Sequence, residues 1–222
     1  MKKLMILASA FLLVFGIFSS AGATIINYNF ALDGNFDPIT PYSGVIVETF
    51  DAATTPSTTI WGWSGDFAIL STSVSGIAAA PAGDSTRFVS VPKEIGALDL
   101  SDSADVSLGG TYNYLGLFWG SADGYNTLSF LNGSTVVESW TGSEAVNPSI
   151  ANGNQTSSET NLYINFLDVP DFDGFRMTST SYAFEADNIA VGNVPVPEPA
   201  TMLLLGIGLL GLAGFGRKKF IK

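Results

Sequence analysis

The stretch Tyr125-Asn-Thr-Leu-Ser-Phe-Leu-Asn-Gly-Ser-Thr-Val-Val-Glu-Ser-Trp140 reads as two β-rich runs joined at Asn132-Gly133. Asn-Gly is the strongest short hairpin signal, because both residues tolerate the positive φ of a type I′ turn. A two-residue turn fixes the register, so Leu131 faces Ser134, Phe130 faces Thr135 and Leu128 faces Val137. Leu128, Phe130 and Val137 then share the core face, with Thr127, Ser129, Val136 and Glu138 on the other. The same register sets Tyr125 directly across from Trp140.

Outward from this hairpin the pattern repeats. Short runs rich in β-branched and aromatic residues, separated by Gly, Ser, Thr, Asn and Pro, predict strands at 25–32, 45–50, 67–70, 87–91, 111–119, 126–131, 135–141, 161–167, 175–179 and 183–191. No stretch between them holds a helical period, and no internal repeat is evident. Many strands without intervening helices predict an all-β fold: an antiparallel two-sheet sandwich of jelly-roll type.

The two ends read as addresses rather than as fold. Over residues 1–23, Lys2 and Lys3 precede an apolar run at 4–18, and Ala21-Gly22-Ala23 offers small residues where a signal peptidase reads. The mature chain is expected to start at Thr24. No Cys follows the apolar run, which excludes a lipid-modified N-terminus. The sandwich body is expected over 24–194, enough for one sizeable core. Its basic residues are Arg87, Lys93 and Arg176; against nineteen acidic residues they leave a formal charge of −16. Such a surface repels phosphate backbones and excludes nucleic acid as a partner. With no His and no Cys, the body lacks the usual general base, every His-dependent nucleophile and the ligands of ordinary zinc sites.

At the other end, 195–222, Val196-Pro-Glu-Pro-Ala-Thr201 leads into a Leu/Gly-rich apolar run and then Gly216-Arg-Lys-Lys-Phe-Ile-Lys222. A helix over about 199–216 reaches the lower limit of the ~20 residues that span a bilayer. Arg217, Lys218, Lys219 and Lys222 would stay on the cytoplasmic side as a stop-transfer cluster. The three parts, in this order and at this end, resemble the PEP-CTERM sorting signal, with Pro197, Glu198 and Pro199 as its motif. That resemblance implies processing by an exosortase, a transient stay in the inner membrane, and delivery to the surface or matrix of a Gram-negative bacterium. In the body, Tyr114-Leu-Gly-Leu-Phe-Trp-Gly-Ser-Ala-Asp-Gly-Tyr-Asn-Thr-Leu-Ser-Phe130, Asn161-Leu-Tyr-Ile-Asn-Phe166 and Ala183-Phe-Glu-Ala-Asp-Asn-Ile189 resemble exosortase-dependent surface proteins of unestablished activity.

Phe184-Glu-Ala-Asp-Asn-Ile189 is also similar to the last strand of jelly-roll carbohydrate-binding modules. The similarity implies a structural calcium at Asp187, with a partner near Asn29 or Asp33. Alternation would put Asp187 and Ile189 on one face unless a bulge intervenes. Asp168-Val-Pro-Asp-Phe-Asp173-Gly174 and Asp99-Leu-Ser-Asp-Ser-Ala-Asp105 lack EF-hand spacing and read as solvated turns. Trp119 shares a face with Leu115 and Leu117 and is expected in the core, whereas Tyr125 and Trp140 are the candidates for stacking on sugar rings. The functional expectation is a non-catalytic surface or matrix protein associating with exopolysaccharide. The alternatives are a secreted glycan-active enzyme using paired carboxylates, and an ice-binding or adhesion protein. For ice binding, Thr54-Thr-Pro-Ser-Thr-Thr59 is too short to supply a regular surface.

Overall fold

The computed structural model describes residues 23–34, 37–53, 55–93, 102–146, 150–195 and 206–209. The expected signal peptide therefore lies outside the described residues except for Ala23, as does the tail except for Pro195 and a helical turn at 206–209. Among the described residues, no helix is long and apolar enough to cross a membrane.

The body is mostly β and antiparallel throughout, as expected. Where two sheets were expected, one continuous ten-stranded sheet is found, with a separate pair formed by β2 (Ala31–Leu32) and β3 (Pro38–Ile39). The reason lies in two long strands, β8 (Ser103–Gly120) and β11 (Leu162–Ser179), which pair with each other along nearly their whole length. One end of this pair is flanked by β9 (Asn126–Asn132), β10 (Thr135–Thr141) and β5 (Gly62–Gly65). The other end is flanked by β1 (Ile25–Asn27) and β12 (Phe184–Gly192). β12 in turn carries β4 (Ile46–Glu48) and β7 (Phe88–Val91), and β6 (Ala68–Leu70) closes that edge. Between the two ends the pairing slips at Leu167, Phe172 and Gly174, and both Gly109 and Asp168 have positive φ. Extra residues in a ladder bend and twist it. Here they fold one sheet over itself, so that Phe130 of β9 meets Phe166 of β11 at a centroid distance of 5.6 Å.

Two expectations fail at these bends. The Asp168–Gly174 stretch (168–174) is a bulged part of β11, not a solvated turn, and Val169 and Phe172 within it are buried. Of the other acidic stretch, residues 99–101 lie outside the described residues; Asp105 stands in β8 and pairs with Arg176 across the ladder.

The hairpin closes one residue later than the Asn-Gly reading requires. Gly133 and Ser134 form its loop, and Thr135 pairs with Asn132. Only Gly133 has positive φ, as a type II′ turn demands of its first central residue. Asn132 is thereby left in the strand, where its Nδ2 donates to the Asp171 carbonyl, while Gly133 N–H donates to Asp173 Oδ1. A bulge at Val137 then shifts the pairing again, setting Glu138 opposite Phe130 and Trp140 opposite Leu128. Leu128 and Phe130 are buried and Val137 packs against them, as expected; Tyr125 does not face Trp140. The face predicted for Glu138 is also wrong, because the bulge carries it to the core side. There its carboxylate accepts from Trp140 Nε1 at 3.0 Å and from Thr24 Oγ1 at 2.6 Å.

The fold centres on an aromatic core. Trp119, fully buried as expected, stacks on Phe184 with centroids 4.2 Å apart and planes 11° from parallel. Leu115, Leu117, Phe166, Phe172 and Phe175 fill the space around them.

Candidate functional site

Every residue of β12 is buried. Phe184 and Ala186 face the core, and a bulge with Asn188 at φ 49° then flips the alternation, so that Ile189 and Val191 face it next. This is the bulge that the order Asp187-Asn-Ile189 required. It leaves Glu185 and Asp187 together on the outer face, beneath loops instead of in solvent.

Glu185 forms the floor of a polar cleft of about 320 Å³ lined also by Ser121, Tyr125, Tyr182, Gln155 and the 73–79 loop. The Ala79 N–H donates to its Oε1 at 2.8 Å and Ser121 Oγ donates to its Oε2 at 2.9 Å. Tyr125 reaches across, its hydroxyl donating to the Tyr182 carbonyl at 3.0 Å. Asp123 lies behind Tyr125; its Oδ1 accepts the Tyr125 N–H at 3.2 Å, and its buried Oδ2 has no hydrogen-bond partner. Asp123 is held against the short helix α1 (Gly142–Ala145), whose first residue must be glycine. A Cβ at Gly142 would come within 2.2 Å of the Asp123 carbonyl oxygen.

Burial pushes the Glu185 carboxyl up to about 8, with the nearby Asp123 charge adding to it and the Ala79 and Ser121 donors only partly opposing. Burial likewise raises Asp123 to about 6. A carboxyl raised on folding stabilises the fold fully below its unfolded value near 4.5 and loses that contribution as the pH climbs through about 8. The melting temperature is therefore expected to fall between roughly pH 5 and roughly pH 9, with Glu185 accounting for a few kcal/mol of the loss. Glu185→Gln should flatten that slope in a calorimetric pH series; an unchanged slope would mean that Glu185 ionises freely.

Trp140 is not in the cleft. Its ring packs toward Phe166 at 6.2 Å, and its indole N–H is spent on Glu138. Of the two sugar-contact candidates, only Tyr125 lines this cleft. Sequence reasoning missed Asp123, Ser121 and Tyr182. The only signal for the first two was Ser121-Ala-Asp-Gly124 ahead of a strand, an unremarkable turn, and Tyr182 carried none.

Asp187 sits at 0% exposure, and the partners expected for it differ from those found. Asn29 offers its carbonyl to Asn165 Nδ2, and Asp33 accepts the Asp37 N–H. The carboxylates acting directly on Asp187 are Asp84 and Asp51, and Thr86 Oγ1 lies 3.3 Å from its Oδ2. Among the described residues, no group of three or more Asp, Glu, His or Cys side chains is placed so that it could hold a metal ion.

Residues 195–218 match the family model of the PEP-CTERM protein-sorting motif. The tail is thus an exosortase-dependent sorting domain, which implies export, a transient membrane anchor before sorting, and processing by an exosortase. The match is confined to the tail and assigns the body to no family. Neither characterised proteins nor solved structures gave a match to the chain.

Proposed function

We propose that the chain is a non-catalytic surface or matrix protein of a Gram-negative bacterium whose sandwich body contacts exopolysaccharide through the cleft at Tyr125. The sorting motif at 195–218 supports the first half of this reading, since it implies export of the body out of the cell, where secreted polysaccharide would be met. Support for the second half comes from the cleft itself. It combines two tyrosines, Tyr125 and Tyr182, with Ser, Gln and backbone polar groups, the mixture that suits a sugar's C–H face and its hydroxyls. The non-catalytic reading draws on Glu185, both of whose oxygens already hold the fold together. A retaining glycosidase needs one carboxylate free to attack and a second free to donate.

Affinity electrophoresis through gels containing the host polysaccharide tests this. The processed protein is expected to be retarded, Tyr125→Ala to lose most of that retardation, and Trp140→Ala to keep it. Unretarded wild-type protein would remove the sugar role and leave a purely structural one. Release of reducing ends from the polysaccharide would instead overturn the non-catalytic reading.

A further inference from the structure

A second depression, of about 530 Å³, adjoins the cleft at Tyr125; Tyr28, Phe30, Thr156, Ser158 and Asn161 are among its lining residues. The two share a wall. Gly153 and Gln155 of the 153–161 loop line the cleft, while Thr156, Ser158 and Asn161 of the same loop line the second depression. Asn161 fixes that wall: its Nδ2 donates to the carbonyls of Asn154 at 3.0 Å and Ser157 at 2.9 Å. Its Oδ1 accepts the N–H of Ser121 at 3.0 Å and that of Ala82 at 2.9 Å. Ser121 belongs to the cleft and Ala82 to the second depression, so one buried side chain holds both rims in place.

The second depression presents apolar rings to water. Tyr28 is 43% and Phe30 54% exposed. The segment carrying them is nevertheless fixed. The Tyr28 hydroxyl donates to the Ala145 carbonyl at 2.7 Å, and the Asn29 carbonyl between the two rings accepts from Nδ2 of the fully buried Asn165 at 2.7 Å. Rings held in advance lose little freedom when a ligand settles on them. Beside them Thr156 and Ser158 offer hydroxyls, so the depression repeats the cleft's mixture of aromatic face and polar groups. Charge narrows the ligand further. Among the described residues lining the two depressions there is no Lys or Arg, and Glu185 is the one acidic side chain. Lys93 pairs with Asp66 and Arg176 with Asp105, and Arg87 lines neither depression. A polyanionic glycan would therefore approach a strongly acidic body and find no cation at the contact.

We propose that the two depressions are subsites of one site for an uncharged polysaccharide strand, bound along its length across the 153–161 loop, with one stretch at Tyr125 and the next on Tyr28 and Phe30. The proposal rests on the polysaccharide reading of the cleft and adds to it the charge class of the glycan and a second point of contact.

The test separates the two readings. Host exopolysaccharide is divided by ion exchange into neutral, anionic and cationic fractions, and the processed protein is run through gels containing each. Wild type is expected to be retarded by the neutral fraction. Phe30→Ala, a change at a side chain more than half exposed and so compatible with folding, should lower the affinity roughly 2–10-fold. Ile60→Ala, equally exposed but lining neither depression, should match wild type. Calorimetric titration with neutral chains cut to graded lengths gives a second readout. Wild-type affinity is expected to climb with length, and both Phe30→Ala and Tyr125→Ala to lose most of that climb. Equal or stronger retardation of wild type by a charged fraction would overturn the proposal while leaving the cleft at Tyr125 a sugar site. So would a Phe30→Ala protein that gains affinity with length as wild type does. Wild type retarded by no fraction would overturn the proposal together with the reading on which it rests.

Discussion

Alanine at Pro197, Glu198 and Pro199 together is expected to abolish release of the body, leaving a cell-bound form that ends at Lys222. The substitution touches only the motif. The apolar run after it and the basic residues Arg217, Lys218, Lys219 and Lys222 are untouched, so insertion and orientation should persist. What changes is the segment an exosortase must read: two prolines that fix the backbone and withhold N–H donors, around one carboxylate. Intact mass and terminal sequencing of membrane and extracellular fractions would measure it. Wild type should appear outside the cell starting at Thr24 and ending near 197–199, and the triple variant only in the membrane. If the variant is released as wild type is, an exosortase does not act on this motif.

Trp119→Ala is expected to cost about 3–5 kcal/mol, a large share of the roughly 5–15 kcal/mol typical of a domain. The indole is fully buried and stacked on Phe184, at the point where β8 and β12 pair, so its loss opens a cavity in the middle of the sheet. The indole N–H has no partner inside the core. Trp119→Phe therefore sacrifices packing alone and should cost only about 1–2 kcal/mol. Urea unfolding of the two variants separates these effects; a cost below about 1 kcal/mol for Trp119→Ala would mean that the core repacks around the gap.

Much of the fold was legible because burial follows alternation. The strand at 135–141 was placed to the residue, and Leu128, Phe130, Leu115, Leu117 and Trp119 were all assigned correctly to the interior. What alternation could not give was continuity. Gly109-Gly110 and Pro170 read as breaks, so the early half of β8 was missed and β11 was split in two. In the structure these residues lie within bent strands. The hairpin register failed for a related reason. Asn132 finds a side-chain partner on β11, a tertiary bond that no local turn rule anticipates, and the turn moves one residue along. The candidate site was legible only in part. Asp187 and its bulge could be read along one strand, but Asp84, which acts on it, lies on a loop, and Tyr125 reaches its cleft through contacts with Tyr182. Such neighbours are set by how loops cross a sheet, and composition carries no trace of it.

The tail leaves the body from the end of β12, and β12 is no edge strand: β8 lies along one side, β7 and β4 along the other. Tension between a tethered tail and a held body would enter the molecule through this strand. Because hydrogen-bond ladders grip β12 on both flanks, drawing it out along its axis strains many bonds in shear at the same time, where an edge hairpin would unzip them singly. The strand joined to the sorting tail is thus the one best placed to resist being pulled from the sheet.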